Sequence, residues 1–291
     1  MRLRRLCCAA AIGGLLGIAL MSGCSSTHVT PTPAAAPPAY EVYAVRYATL
    51  LGYPTHELVA GADTSRRSDL AMTVWLLKGP GDRRVLVDAG FYRDEFVLDA
   101  KPTDFHRSSE VLESLGVAPG SITDIIISHV HWDHLDGAIL YPNARVWIQR
   151  AEYEYYVGPK GEALHADITR VDAFMLATLR TAGRVELVDG DAKEIIPGIR
   201  VYTGGRHTYA SQYAVVNTRA GNVVIASDNV YLYENMDRHA PIGTTFDAAA
   251  NLRAQDRMMG LAGTRRLVIP GHDQAVFDRF PHVRQDVVRI D

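Results

Sequence analysis

Cysteine is scarce and confined to the start of the chain. The three cysteines are Cys7, Cys8 and Cys24. Nothing beyond residue 24 can form a disulfide or supply a thiolate, so a metal held by the body is held by nitrogen and oxygen alone. Lysine is scarce as well, with Lys78, Lys101, Lys160 and Lys193 the whole set, and no basic run stands out. The formal net charge is −3; with Arg2, Arg4 and Arg5 set aside, 27 bases stand against 33 acids, a balance of −6. That sign argues against RNA and DNA as partners, because polyanions are bound by clustered Lys and Arg. A membrane-spanning run is also missing. The apolar stretch Leu6 to Leu20 falls short of the ~20 residues a span needs. No repeat and no internal linker divides the rest, and about 250 residues suffice for one large domain.

The start of the chain reads as a targeting segment. Arg2, Arg4 and Arg5 precede the short apolar stretch, which ends in Met21-Ser22-Gly23-Cys24. This resembles a bacterial lipobox, with Met21 where Leu is commoner, and it implies a lipidated Cys24 as the first mature residue. Residues 1–23 are then a signal peptide of lipoprotein type, and the protein is exported, its only link to a membrane being the anchor at Cys24. Residues 24–39 contain Pro31, Pro33, Pro37 and Pro38 and read as an extended Pro/Ala-rich tether. Residues 40–291 form the folded domain.

What the body does contain is a dense set of ligands. His129, His131, Asp133 and His134 follow the strand-like run Ile125-Ile126-Ile127. His with Asp selects a divalent ion such as zinc, manganese, iron or cobalt. So tight a spacing cannot place all four on one ion from a regular strand. It suits a turn feeding two ions, His129 and His131 on one, Asp133 and His134 on the other. Three more candidates sit where apolar strands run out into loops, as binding groups do. His207 follows Ile199–Thr203 and Gly204-Gly205-Arg206, Asp228 follows Val223–Ala226 and Ser227, and His272 follows Leu267–Ile269 and Pro270-Gly271.

The order His-x-His-x-Asp-His, Gly-Gly-x-His-Thr, Ser-Asp, Gly-His resembles the metallo-β-lactamase superfamily from about Tyr40 to Phe280. The resemblance implies an α/β fold, an αβ/βα sandwich with a two-metal site at its edge. It assigns His129, His131 and His207 to one ion and Asp133, His134 and His272 to the other, with Asp228 bridging. The ions are expected to be Zn2+. Within the superfamily the chain is most similar to the N-acyl-homoserine lactonases, through Tyr40–Thr49, Val85–Phe91 and Ala226–Tyr231. Arg206 departs from that subgroup's more usual Gly-Gly-His. The subgroup likeness implies a lactone substrate opened by a metal-bridging hydroxide, with Tyr231 donating to the oxyanion and Asp133 protonating the leaving alkoxide. The alternative is a lactonase or esterase of broader specificity, and a homodimer is compatible with the subgroup. Asp228 argues against a β-lactamase, and the short stretch after His272 against a glyoxalase II-type thioesterase. Acidic charge and export argue against a nuclease.

Other elements are placed by pattern. Strands are expected at Val42–Leu51, Met72–Leu77, Arg84–Val87 and Asp124–Ser128, and helices at Ser108–Leu115, Ala151–Tyr156, Ile168–Thr181 and Phe246–Ala262. Asp88 reads either as a strand-ending turn or, by the resemblance, as the group that orients a metal-bound histidine. Tyr153, Tyr155 and Tyr156 read as core packing, and His165 and His239 as rim or surface residues.

Overall fold

The computed structural model describes residues 36–262 and 264–291. The signal peptide, the lipobox and most of the tether lie outside them. Among the described residues, thirteen strands run in chain order: β1 Glu41–Pro54, β2 Arg67–Lys78, β3 Arg84–Val87, β4 Asp124–Ile126, β5 Arg145–Gln149, β6 Val185–Val188, β7 Lys193–Ile196, β8 Ile199–Thr203, β9 Gln212–Thr218, β10 Gly221–Ser227, β11 Val268–Pro270, β12 His282–Arg284 and β13 Val287–Arg289. They form two sheets. One has eight strands in the order β12-β13-β1-β2-β3-β4-β5-β6, and the other five, β11-β10-β9-β8-β7.

Alternation builds the layers, since successive side chains of a strand face opposite ways. Along β2, Trp75 and Leu77 point to the core shared with the five-stranded sheet, where they meet Ile199, Val201 and Ile225. Val74 and Leu76 point to the other face, to a core completed by Leu112, Tyr156 and Leu176 from helices. The helix Ala248–Ala262 packs on β10 and β11 and buries Ala254, Met258 and Ala262, one position per turn. Both sheets are thereby sandwiched, as the family resemblance implied. Among the described residues no helix is long and apolar enough to cross a membrane.

The expected elements are present with shifted ends: β1 and β2 run beyond the expected Val42–Leu51 and Met72–Leu77, while others are shorter for local reasons. β4 stops at Ile126 because Ser128 N donates to Asp88 Oδ1 at 2.8 Å instead of extending the strand. The helix expected from Ile168 begins at Arg170, where Thr169 Oγ1 accepts from Asp172 N. The helix expected from Phe246 begins at Ala248, because Phe246 N is tied to Arg206 O at 2.8 Å. The last residues assigned to the tether are held to the body: the carbonyls of Pro37 and Pro38 each accept from Asn217 Nδ2 at 3.1 Å.

Candidate metal centre

Every ligand candidate leaves the end of a strand on the same edge of the sandwich. The turn after β4 carries His129 and His131, and the single helical turn Trp132–Leu135 carries Asp133 and His134. His207 follows β8, Asp228 follows β10, and His272 follows β11. Close backbone contacts explain the glycines between strand and ligand. A Cβ on Gly205 would run into Cα of Asn251, and one on Gly271 would sit 2.9 Å from Asp228 Oδ1. Arg206 adopts φ 56° and leaves His207 directed inward, its Nε2 2.9 Å from His131 Nδ1.

The structure brings all seven residues together in two groups: His129, His131, His207 and Asp228, then Asp133, His134 and His272. The carboxylate of Asp228 joins them. Its Oδ2 lies 3.6 Å from His129 Nε2 and 3.4 Å from His207 Nε2. Its Oδ1 lies 3.2 Å from His134 Nε2 and 2.9 Å from His272 Nε2. Asp133 Oδ2 lies 3.2 Å from His134 Nε2 and 3.7 Å from His272 Nε2.

The ring protons point away from this centre. His207 Nδ1 donates to the carbonyl of Thr244 at 3.0 Å and His272 Nδ1 to that of Ala71 at 3.1 Å. A carbonyl only accepts, so in each ring the outer nitrogen carries the proton and the inner one, when neutral, offers a lone pair. His134 Nδ1 is held by Asp88 Oδ2 at 2.8 Å. Ser128 Oγ gives its proton to Asp88 and so accepts from His129 Nδ1 at 2.9 Å. Three inward nitrogens then crowd together, His131 Nδ1 lying 3.0 Å from His129 Nε2 and 2.9 Å from His207 Nε2. Between the two groups, the buried His134 Nε2 and Asp228 Oδ1 face each other at 3.2 Å. Lone pairs facing lone pairs in a buried site are what a cation resolves. The donor set fits divalent ions.

In the three-histidine group titration agrees with that fit. Burial holds His129 and His207 below the usual histidine range and pushes His131 down to about 4, so all three are neutral ligands near pH 7. Burial opposes charge on His134 and His272 too, but facing carboxylates outweigh it: Asp133, Asp228 and Asp88 raise His134, and Asp228 raises His272. Burial likewise disfavours ionised Asp228, but His134 and His272 hold it well below the usual carboxylate range.

Tyr231 joins the site from the loop after Asp228. Its hydroxyl lies 3.4 Å from both His207 Nε2 and Thr244 Oγ1. Burial, then the charge of Asp228, keeps the phenol protonated. A cavity of about 560 Å³ opens on the centre. Its apolar wall is Leu50, Leu58, Leu70, Met72, Trp132 and Phe246.

Asp88 does both things considered for it. It ends β3 with φ 59°, and it accepts from Ser128, Ser227 and His134. Tyr153 and Tyr156 pack in the core; Tyr155 is stacked between His165 and Tyr209, with ring centroids 3.8 and 3.9 Å away. His165 is exposed, and His239 caps a helix C-terminus and pairs with Asp256. Two contributors escaped the sequence reading. Thr244, in a loop with no pattern of its own, fixes the tautomer of His207. Glu152 lies in the first turn of the helix Arg150–Tyr156, where nothing in the local pattern marks it.

A sequence model of the metallo-beta-lactamase superfamily matches residues 69–272, from β2 to the last ligand. The chain belongs to the metallo-beta-lactamase superfamily. Within it, the N-acyl homoserine lactonase of Bacillus thuringiensis is 28% identical over 190 residues, spanning 63% of this chain and 70% of that protein. Among solved structures, a quorum-quenching N-acyl homoserine lactone lactonase superposes with a TM-score of 0.67 at 21% identity, over 82% of this chain and 94% of that one. An N-acyl homoserine lactone hydrolase with the product N-hexanoyl-L-homoserine at its catalytic metal centre superposes with a TM-score of 0.69 at 20% identity, over 85% and 98%. These structural likenesses speak for the superfamily fold, and the chain is a metal-dependent hydrolase of that superfamily.

Proposed function

We propose that the protein hydrolyses the lactone ring of N-acyl-homoserine lactones with two divalent ions, Zn2+ in the first instance, and thereby quenches quorum sensing. The observation that carries this is Asp228 dividing its two oxygens between the two ligand groups with the Tyr231 hydroxyl beside them. Its lactonase relatives support the substrate class.

When bound, such ions supply an activated water and polarise a carbonyl. The chain's own residues do the remaining work. His129, His131 and His207 hold one side of the centre, and Asp133, His134 and His272 hold the other. Tyr231, kept protonated by its surroundings, donates to the oxygen on which negative charge develops, a contribution of ~2.7–4 kcal/mol. Asp133 is held below the usual carboxylate range by His134 against the effect of burial. It would take up the proton of the attacking water and return it to the alkoxide that leaves when the ester C–O bond breaks. The wall formed by Leu50, Leu58, Leu70, Met72, Trp132 and Phe246 receives the acyl tail.

The reading includes export and a lipid anchor at Cys24, where the enzyme meets diffusing signals. It is tested by metal content and by mass analysis of a lactone incubated with the protein. Two ions per chain and conversion of the lactone to the open hydroxy acid support it. An intact lactone beside a protein that holds two ions sinks the lactonase assignment. Membrane association that survives Cys24→Ser sinks the anchor.

A further inference from the structure

Glu152 is fully buried, and among the described residues its hydrogen-bond partners are Val130, Thr208 and Ala210. Its Oε1 accepts from Val130 N at 3.2 Å and from Thr208 Oγ1 at 2.6 Å; its Oε2 accepts from Ala210 N at 2.6 Å. Val130 lies between His129 and His131, and Thr208 follows His207. One carboxylate therefore ties together the two backbone segments that carry the three-histidine group. Asp88, by contrast, serves Ser128, Ser227 and His134.

We propose that Glu152 is a positioning residue for the His129–His131–His207 group, setting how tightly that group holds its ion. The inference rests on the reading of the seven residues as a two-ion centre. The chemistry explains why the residue is an acid. Three donors converge on it, and a carboxylate offers two accepting oxygens, whereas a glutamine amide offers one and turns a donor toward the remaining N–H or O–H. An unmatched buried donor loosens the segment bearing it. Burial disfavours the charge and outweighs the three donors, which pull the other way, so the carboxyl is pushed up to about 7. Ordering the ligands is what this arrangement accomplishes, and groups behind metal ligands typically change affinity by about 10–100-fold when altered.

The test strips the full-length protein of metal and titrates it with zinc against a chromophoric chelator, beside thermal unfolding of the metal-free form. Two ions should bind the unaltered protein. Glu152→Gln should weaken one of them about 10–100-fold and spare the other. In a His131→Ala background, which removes the ion in question, Glu152→Gln should leave the remaining ion untouched. Thr208→Val keeps the shape, removes one donor, and should weaken the same ion by a smaller factor; it decides the matter if Glu152→Gln does not fold. Unchanged binding of both ions overturns the proposal, as does equal weakening of both with a lowered melting temperature, which marks a merely structural role. No zinc on the unaltered protein instead overturns the two-ion centre, and this inference with it.

Discussion

Asp228 offers one oxygen to each ligand group, so its removal strikes both. Asp228→Ala should abolish detectable turnover and lower metal content below two ions per chain, as measured by elemental analysis. Retention of two ions would remove Asp228 from the centre. Tyr231 makes a separable prediction. Its hydroxyl approaches the centre but belongs to neither ligand group. Tyr231→Phe should keep the metal and lower kcat about 10²–10³-fold with little change in KM, since an oxyanion donor acts in the transition state. A loss confined to KM would make Tyr231 a substrate-binding group only.

At the scale of elements, the site depends on strands ending against close-packed turns. Gly205 has the backbone of Asn251 where a side chain would begin, and Asn251 Nδ2 donates to Asn229 O at 2.9 Å. Gly205→Ala should therefore push the helix Ala248–Ala262 away from the loop after β8 and cost about 1–3 kcal/mol, read by denaturant unfolding. An unchanged midpoint would refute that packing. The same strands explain what sequence alone revealed. Ile125–Ile127, Ile199–Thr203 and Val223–Ala226 are strand-forming runs followed within one to four residues by His or Asp, so both element and ligand were legible in one pattern. β5 and β9 were missed although Val146, Ile148, Val215 and Val216 are strand-forming, because no ligand drew attention to them. The short helices Asp94–Ala100 and Tyr233–Arg238 were missed because tertiary contacts, more than periodicity, hold them. Thr244 and Glu152 were invisible for another reason: their roles arise from residues far away in sequence.

At the scale of the molecule, burial of a charge makes stability depend on pH. Glu152 sits near 4.5 when exposed and is pushed up to about 7 in the folded metal-free chain by burial. Between those values the native state binds more protons than the unfolded one, so this group's contribution falls as pH rises through the window. It is fully unfavourable above about pH 7, by on the order of 3 kcal/mol. Metal-free protein should thus lose more stability from pH 4.5 to 7 than Glu152→Gln does, as compared in parallel urea titrations. Equal slopes would show that the carboxyl does not titrate there. The acidic surface and the apolar-walled cavity over the histidines fit a small, neutral, partly apolar substrate.

The central claim is lactone hydrolysis at a two-ion centre. It is tested most directly by following proton release as a short-chain and a long-chain N-acyl-homoserine lactone are mixed with the metal-loaded protein, beside Asp228→Ala. Ring opening yields a carboxylic acid that ionises near neutral pH, so each turnover releases one proton. The account predicts rapid release with at least one of the two lactones and none above background with Asp228→Ala. No release from either lactone by protein that retains both ions would contradict it.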